Sequence, residues 1–149
     1  ILISERAQEE MYATLCMASL NTGSDQVRVR VLGHPPPLLV KGDTAEEAHI
    51  TPQPPLGVFP VDEGVVDTFT LPKGTSVLFY TDGLVDAYDN DSSARLEVAG
   101  LRRLFVDLLE RDVPFAQLPE HLVDEAERCN GGPLQDDVAI LLINHGEPE

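Results

Sequence analysis

Basic residues are scarce in this chain of 149 residues: 10 Lys plus Arg stand against 26 Asp plus Glu, for a formal charge of -16. A surface of that sign repels a phosphate backbone instead of releasing its counterions, which disfavours binding, and the expectation is no nucleic-acid partner. It repels a phosphorylated substrate too, so phosphate chemistry here needs a cation to neutralise the approach. Cysteine is nearly absent. Cys16 and Cys129 stand far apart with no CxxC, which excludes a disulfide framework and a cysteine-rich zinc site and leaves two small buried thiols. No apolar run approaches the roughly 20 residues that span a bilayer. The first ten residues carry Glu5, Glu9 and Glu10 where a signal peptide carries lysines. The expectation is a soluble, cytoplasmic chain without a membrane partner. A glycine-rich phosphate loop is missing in both common forms, which disfavours a kinase or a nucleotide-binding module. No serine has the flanks of a nucleophile elbow, neither cysteine has an evident histidine partner, and there is no internal repeat or low-complexity segment.

What remains is an apolar content of 42%, enough for one ordinary core and a single compact unit. Leu2, Ala7 and Met11 recur at helical spacing but have no N-cap signal, so residues 1–10 read as the end of a helix that begins upstream. Residues 11–20 are apolar at nearly every position, whereas in 26–32 Val27, Val29 and Val31 alternate with polar neighbours. The polar insert at 21–25 makes them an antiparallel hairpin, the first strand buried on both faces and the second on one. Gly33 to Pro37 breaks the pattern, which resumes as a strand at 38–40. Residues 42–48 read as a polar turn and 51–60, with four prolines, as an extended loop. Residues 65–71 and 75–80, joined by Pro72-Lys73-Gly74, read as a second hairpin. Apolar stripes predict helices over 96–109 and 115–129, with Pro114 before the second and Asn130-Gly131-Gly132 ending it. A fully apolar strand at 138–143 returns. A block of strands, two helices and one returning strand predict an α+β domain with helices on a face of its sheet.

Two acidic clusters sit beside apolar strands: Thr81-Asp82-Gly83-Leu84-Val85-Asp86 and Gln135-Asp136-Asp137-Val138. A carboxylate at a buried strand end suffers desolvation unless a cation or donor compensates it. If the two strands are adjacent, Asp82 and Asp136 share a coordination sphere and offer hard oxygens to Mg²⁺ or Mn²⁺. Aspartate also serves turns and helix caps, and spacing alone leaves both readings open. The Asp89-Asn90-Asp91 run starts like a calcium loop but has Ala94 and Gly100 where that loop needs glycine and glutamate, so residues 89–93 read as a solvated loop. His34, between Gly33 and Pro35, reads as a loop-stabilising donor, with a catalytic role as the alternative. His49, His121 and His145 read as surface residues.

In order and spacing, Gly33-His34-Pro35-Pro36-Pro37, Pro55-Leu56-Gly57-Val58, Thr81-Asp82-Gly83-Leu84 and Asp136-Asp137-Val138-Ala139 resemble the metal-dependent protein phosphatases (PPM, type 2C). The similarity runs from about Met11 to Ile143 and is to the bacterial SpoIIE-like branch that regulates sigma factors. The resemblance implies a four-layer α-β-β-α sandwich of antiparallel sheets, of which residues 1–149 form the C-terminal part of a single domain with its N-terminal portion missing. It implies a binuclear Mn²⁺ or Mg²⁺ centre whose activated water, with no catalytic side chain, attacks phosphoserine or phosphothreonine in line. Asp82 and Asp136 are then metal ligands, Asp137 orients Asp136, Gly83 lets the backbone turn closely, and His34 supports the site. The implied substrate is a regulatory phosphoprotein of the anti-sigma-factor antagonist type. The alternative is a non-catalytic phosphatase-like interaction module. The family's remaining ligands come from an Asp-x-x-Gly-His-Gly stretch, and nothing in residues 1–21 resembles it. The chain alone is therefore expected to bind metal weakly, to be nearly inactive, and to self-associate through an exposed sheet.

Overall fold

The computed structural model describes residues 12–21, 23–59, 64–91 and 93–146; the helix expected over 1–10 lies outside them. The strands are β1 (Leu15–Leu20), β2 (Gln26–Leu32), β3 (Leu38–Lys41), β4 (Thr44–Glu47), β5 (Asp67–Thr70), β6 (Thr75–Tyr80), β7 (Tyr88–Asp89), β8 (Ala94–Arg95) and β9 (Ile140–His145). The helices are α1 (Asp82–Val85), α2 (Glu97–Glu110) and α3 (Leu118–Asn130), the last preceded by a 3₁₀ turn, Phe115–Gln117. Among the described residues no helix is long and apolar enough to cross a membrane. Two compact units form, Ile1–Pro36 with Ala48–Pro72, and Pro37–Glu47 with Lys73–Glu149.

The first unit holds the antiparallel sheet β1-β2-β5. Its turn is set by Asn21, whose carbonyl accepts from the Ser24 N–H at 3.0 Å and whose Oδ1 accepts from the Gly23 N–H at 2.9 Å. β2 buries Val27, Val29 and Val31 and leaves Arg28 exposed, the alternation its sequence predicts. β1 departs from expectation. Met17 is 57% exposed and neither face is fully buried, because β1 is a sheet edge and apolar composition alone does not supply a covering layer. The expected second hairpin is also overturned: β5 pairs with β2, Val27 opposite Phe69, whereas β6 belongs to the other sheet. The proline-rich loop is pinned to this unit by Gln53, whose side chain donates to the Val65 carbonyl and accepts from the Val65 N–H, both at 2.9 Å.

The second unit is built on the antiparallel sheet β4-β3-β6-β9. β3, read from sequence as the preceding strand resumed, starts this second sheet, and the polar segment after it is a strand, β4, not only a turn. Backbone pairing of Val40 with Ala45 overrides the low strand propensity of Thr44-Ala45-Glu46-Glu47. β6 is one of the two interior strands, buried at five of six positions and hydrogen-bonded on both sides. β9 starts two residues later than its apolar run, and as an edge strand it is only half-buried. Leu101, Leu104, Phe105 and Leu108 of α2 and Leu118, Leu122 and Ala126 of α3 form one core with Leu38, Leu78 and Tyr80 of the sheet. That is the i, i+3, i+4, i+7 stripe expected of helices laid on a sheet. Gly131, at φ 75°, closes α3 in the left-handed conformation that favours glycine, and the Gly132 N–H donates back to the Glu127 carbonyl at 3.0 Å.

The loop expected to be solvated at 89–93 is instead headed by a small hairpin, β7-β8, whose Asp89 is 6% exposed. Asp89 accepts from the Asp91 N–H at 3.0 Å and from Arg103 at 3.5 Å, which satisfies a carboxylate that sequence placed in water. Cys16 and Cys129 are half-buried, and burial pushes both thiols up. His121 and His145 are half-buried rather than on the open surface, and His49 is exposed.

Leu122→Ala leaves a cavity under the sheet and is expected to destabilise by about 2–5 kcal/mol in denaturant titration, against less than about 0.5 kcal/mol for Met17→Ala. Glu125 accepts from Arg111 and Arg128 at 2.7 Å each, tying the end of α2 to α3; the Arg111 hydrogen bond leads in holding its carboxyl below the usual range. A carboxyl lowered in the folded state stabilises above its unfolded pKa, and the effect is lost as pH falls through the folded value. Thermal melts should therefore show Glu125→Gln below wild type at neutral pH, the gap closing in acid below the ordinary glutamate range.

Candidate functional site

β6 leads from the middle of the second sheet to Thr81, an extended residue (φ -87°, ψ 162°) that stops the strand and N-caps α1. Its N–H donates to the Ala139 carbonyl at 3.1 Å, carrying the β6-β9 ladder one step past both strands. Its hydroxyl donates to the Asp137 carbonyl at 3.1 Å and accepts from the Ala139 N–H at 2.9 Å. One side chain thus fastens residues 137–139 to the end of β6. Gly83 completes the approach: a Cβ there would lie 2.7 Å from the Asp137 carbonyl oxygen and 3.3 Å from that of Asp136.

The two acidic clusters therefore meet, backbone to backbone, at one end of the β6-β9 pair. Asp82 opens α1, and Asp136 lies in the segment before β9, its Oδ1 accepting from the Asp137 N–H at 2.8 Å. That hydrogen bond leaves the second Asp136 oxygen for other partners. Asp82, Asp136 and Asp137 are all exposed, so the desolvation expected of carboxylates at a buried strand end does not arise: the chain leaves the sheet before reaching them. The cap of α1 is Thr81, which removes the N-cap reading of Asp82, although a carboxylate in a first turn still meets a favourable helix dipole. His34 is half-buried in the bend after β2, in the first unit.

Beside this junction a cleft of about 450 Å³ is lined by Gly83, Asp86, Tyr88, Arg95, Gln135 and Asp136, among others. Arg95 Nη1 donates to Asp86 Oδ1 at 2.6 Å. One wall is held by Asn130, whose Oδ1 accepts from the Tyr88 N–H at 2.8 Å and whose amide donates to the Pro133 carbonyl at 3.0 Å. Sequence reasoning passed over Asp86 and Arg95. The i, i+4 spacing of Asp82 and Asp86 was a usable signal, since it stacks both on one side of a helical turn; Arg95 offered none. Carboxylate and carbonyl oxygens suit a hard divalent ion, yet six or more are needed. Among the described residues no group of three or more His, Cys, Asp or Glu side chains is placed to hold one, so Asp82 and Asp136 could supply at most part of a coordination sphere.

The family model for Stage II sporulation protein E (SpoIIE) matches residues 2–146. The chain belongs to the SpoIIE family. Solved structures share its fold. The RsbU and RsbW domains of a Mycobacterium tuberculosis protein match with a TM-score of 0.72 and 29% identity over 91% of this chain and 38% of that one. The PP2C phosphatase domain of Bacillus subtilis SpoIIE, with a fragment of its regulatory domain, gives 0.77 at 18% identity over 95% and 40%. The M. tuberculosis serine/threonine phosphatase PstP/Ppp gives 0.68 at 14% identity over 98% and 67%. The mixed α+β arrangement with antiparallel sheets is thus the PP2C phosphatase fold. This SpoIIE-family chain spans only 38% and 40% of the first two of these structures.

Gly83→Ala drives a methyl into the Asp137 carbonyl, a backbone atom that cannot rotate away. The expected cost is about 1–3 kcal/mol, with amide chemical-shift changes concentrated at residues 136–139 rather than spread over the sheet.

Proposed function

We propose that this chain is part of a metal-dependent protein serine/threonine phosphatase domain and contributes two of its metal ligands, Asp82 and Asp136. The observation that carries this is the Thr81 clamp with the Gly83 close approach, which sets the strand-end Asp82 against the Asp136-Asp137 segment. Asp137 supports the pair through its backbone N–H, which fixes the Asp136 carboxylate. Bound Mn²⁺ or Mg²⁺ would supply two things: neutralisation of phosphate charge and a water acidified toward hydroxide at neutral pH. The chain's own residues hold two oxygen donors at a rigid strand end, keep them open to solvent and line a cleft beside them. With a net charge of -16, this is the kind of protein that requires such cations before a phosphoprotein can approach.

The substrate on this reading is a phosphoserine or phosphothreonine regulatory protein of the anti-sigma-factor antagonist type. Support comes from the match to RsbU and RsbW domains and to the SpoIIE phosphatase domain, described there as that of a cell fate determinant. A non-catalytic interaction module is the second reading, favoured by the lack of a three-ligand cluster among the described residues.

The longer native protein, with the sequence upstream of Ile1, should hydrolyse p-nitrophenyl phosphate and a phosphopeptide when Mn²⁺ is added. Asp82→Asn and Asp136→Asn should each lower kcat/KM roughly 100-fold or more. Equal rates in parent and variants would remove the catalytic reading and leave the interaction module. The 149-residue chain alone should be nearly inactive, and vigorous Mn²⁺-dependent turnover by it would contradict the partial ligand set.

A further inference from the structure

We propose that Arg95 receives the phosphoryl group of the substrate, exchanging its Asp86 partner for a phosphomonoester dianion in the cleft beside Asp136. The proposal deepens the phosphatase reading and rests on it for the identity of the ligand. Arg95 is the one cationic side chain among the described residues lining that cleft, in a chain with few cations to place anywhere. A phosphate entering beside Gly83 and Asp136 therefore meets one positive side chain and two negative ones, Asp86 and Asp136.

The backbone of Arg95 is held and its head is exposed. Arg95 pairs with Tyr88 across the β7-β8 hairpin, and the hairpin is fastened to the rest of the second unit at several points. The Tyr88 N–H donates to Asn130 Oδ1, the Asn90 N–H to the Cys129 carbonyl at 3.1 Å, and the Leu96 N–H to the Ala87 carbonyl at 2.9 Å. The buried Asp89 adds an anchor in the paired strand, β7. By contrast the Arg95 side chain is 63% exposed and that of Asp86 47% exposed. An ion pair in that setting contributes little. A guanidinium has five donors in a planar fork, and a phosphate dianion with two negative charges accepts two of them in parallel. Exchange of one carboxylate for one phosphate is thus favourable at the guanidinium. The freed Asp86 then faces the ligand as a repulsive charge, so binding of free phosphate should be weak. Asp86 in the resting state keeps the guanidinium in the cleft, which limits the side-chain entropy lost when phosphate arrives.

The experiment uses the longer native protein with wild-type Arg95, Arg95→Ala and Arg95→Lys, each checked for an unchanged melting temperature. With a phosphopeptide and p-nitrophenyl phosphate, Arg95→Ala should raise KM about tenfold while kcat stays within about threefold. The inhibition constant of inorganic phosphate should rise in parallel, and lysine should restore part of both. Hydrolysis with KM and phosphate inhibition unchanged in Arg95→Ala would overturn the proposal. So would a loss confined to kcat, or one that accompanies a lowered melting temperature and is not rescued by lysine. If the wild-type protein hydrolyses neither substrate, the phosphatase reading fails on its own, and a second measurement decides Arg95. The Arg95 Nε–Hε resonance is followed while inorganic phosphate is titrated with Mg²⁺ present. A saturable millimolar shift supports phosphate binding at Arg95, and no shift overturns it.

Discussion

The candidate site depends on one hydroxyl. Thr81 ends the most buried strand of the second unit, and its side chain bridges two backbone groups of a segment 56 and 58 residues away in sequence. A valine at this position would keep the volume and lose both hydrogen bonds. The other components follow from that fastening: Gly83 has no side chain because the fastened segment lies against it, and Asp136 and Asp137 are placed by the segment's path.

The clamp is fixed because its support is fixed. β6 is flanked by β3 and β9 and covered by the core that α2 and α3 build with the sheet. Interiors packed to that density have low compressibility and pass strain on rather than absorb it. Asp82 is thus carried at a strand end held by the core, whereas Asp136 depends on the Thr81 contacts for its place. Solvated carboxylates on such a base would suit reversible binding of a hydrated divalent ion, whereas buried ones would require the ion to lose its water at once.

Much of this was legible in the residues, and the failures share a cause. Period-two alternation in Val27-Arg28-Val29-Arg30-Val31 and the helical stripes of α2 and α3 reported burial correctly, because each element there meets one apolar layer. The pairing of β5 was not legible, since alternation says which face is buried but not which strand lies alongside. Local closeness of 65–71 to 75–80 suggested a hairpin, and the partners lay some 40 residues back in β2. β4 was hidden by its polar composition and β1 over-read from its apolar one, both edge strands, where composition is a weak guide to burial. The juxtaposition of the two aspartate motifs followed from β6 and β9 being adjacent and from the family resemblance, while Arg95 became visible only once the β7-β8 hairpin was placed.

Because β9 is an edge strand, joined to the described sheet on one side only, the cleft has a seam. Fraying at the Ile140 end of that strand would open the Thr81 contacts and loosen residues 136–139, of which Asp136 lines the cleft, with α2 and α3 still seated on β3 and β6. Occupancy of the cleft and the fastening of a single outer ribbon are then two readouts of one local equilibrium, well below the threshold of global unfolding.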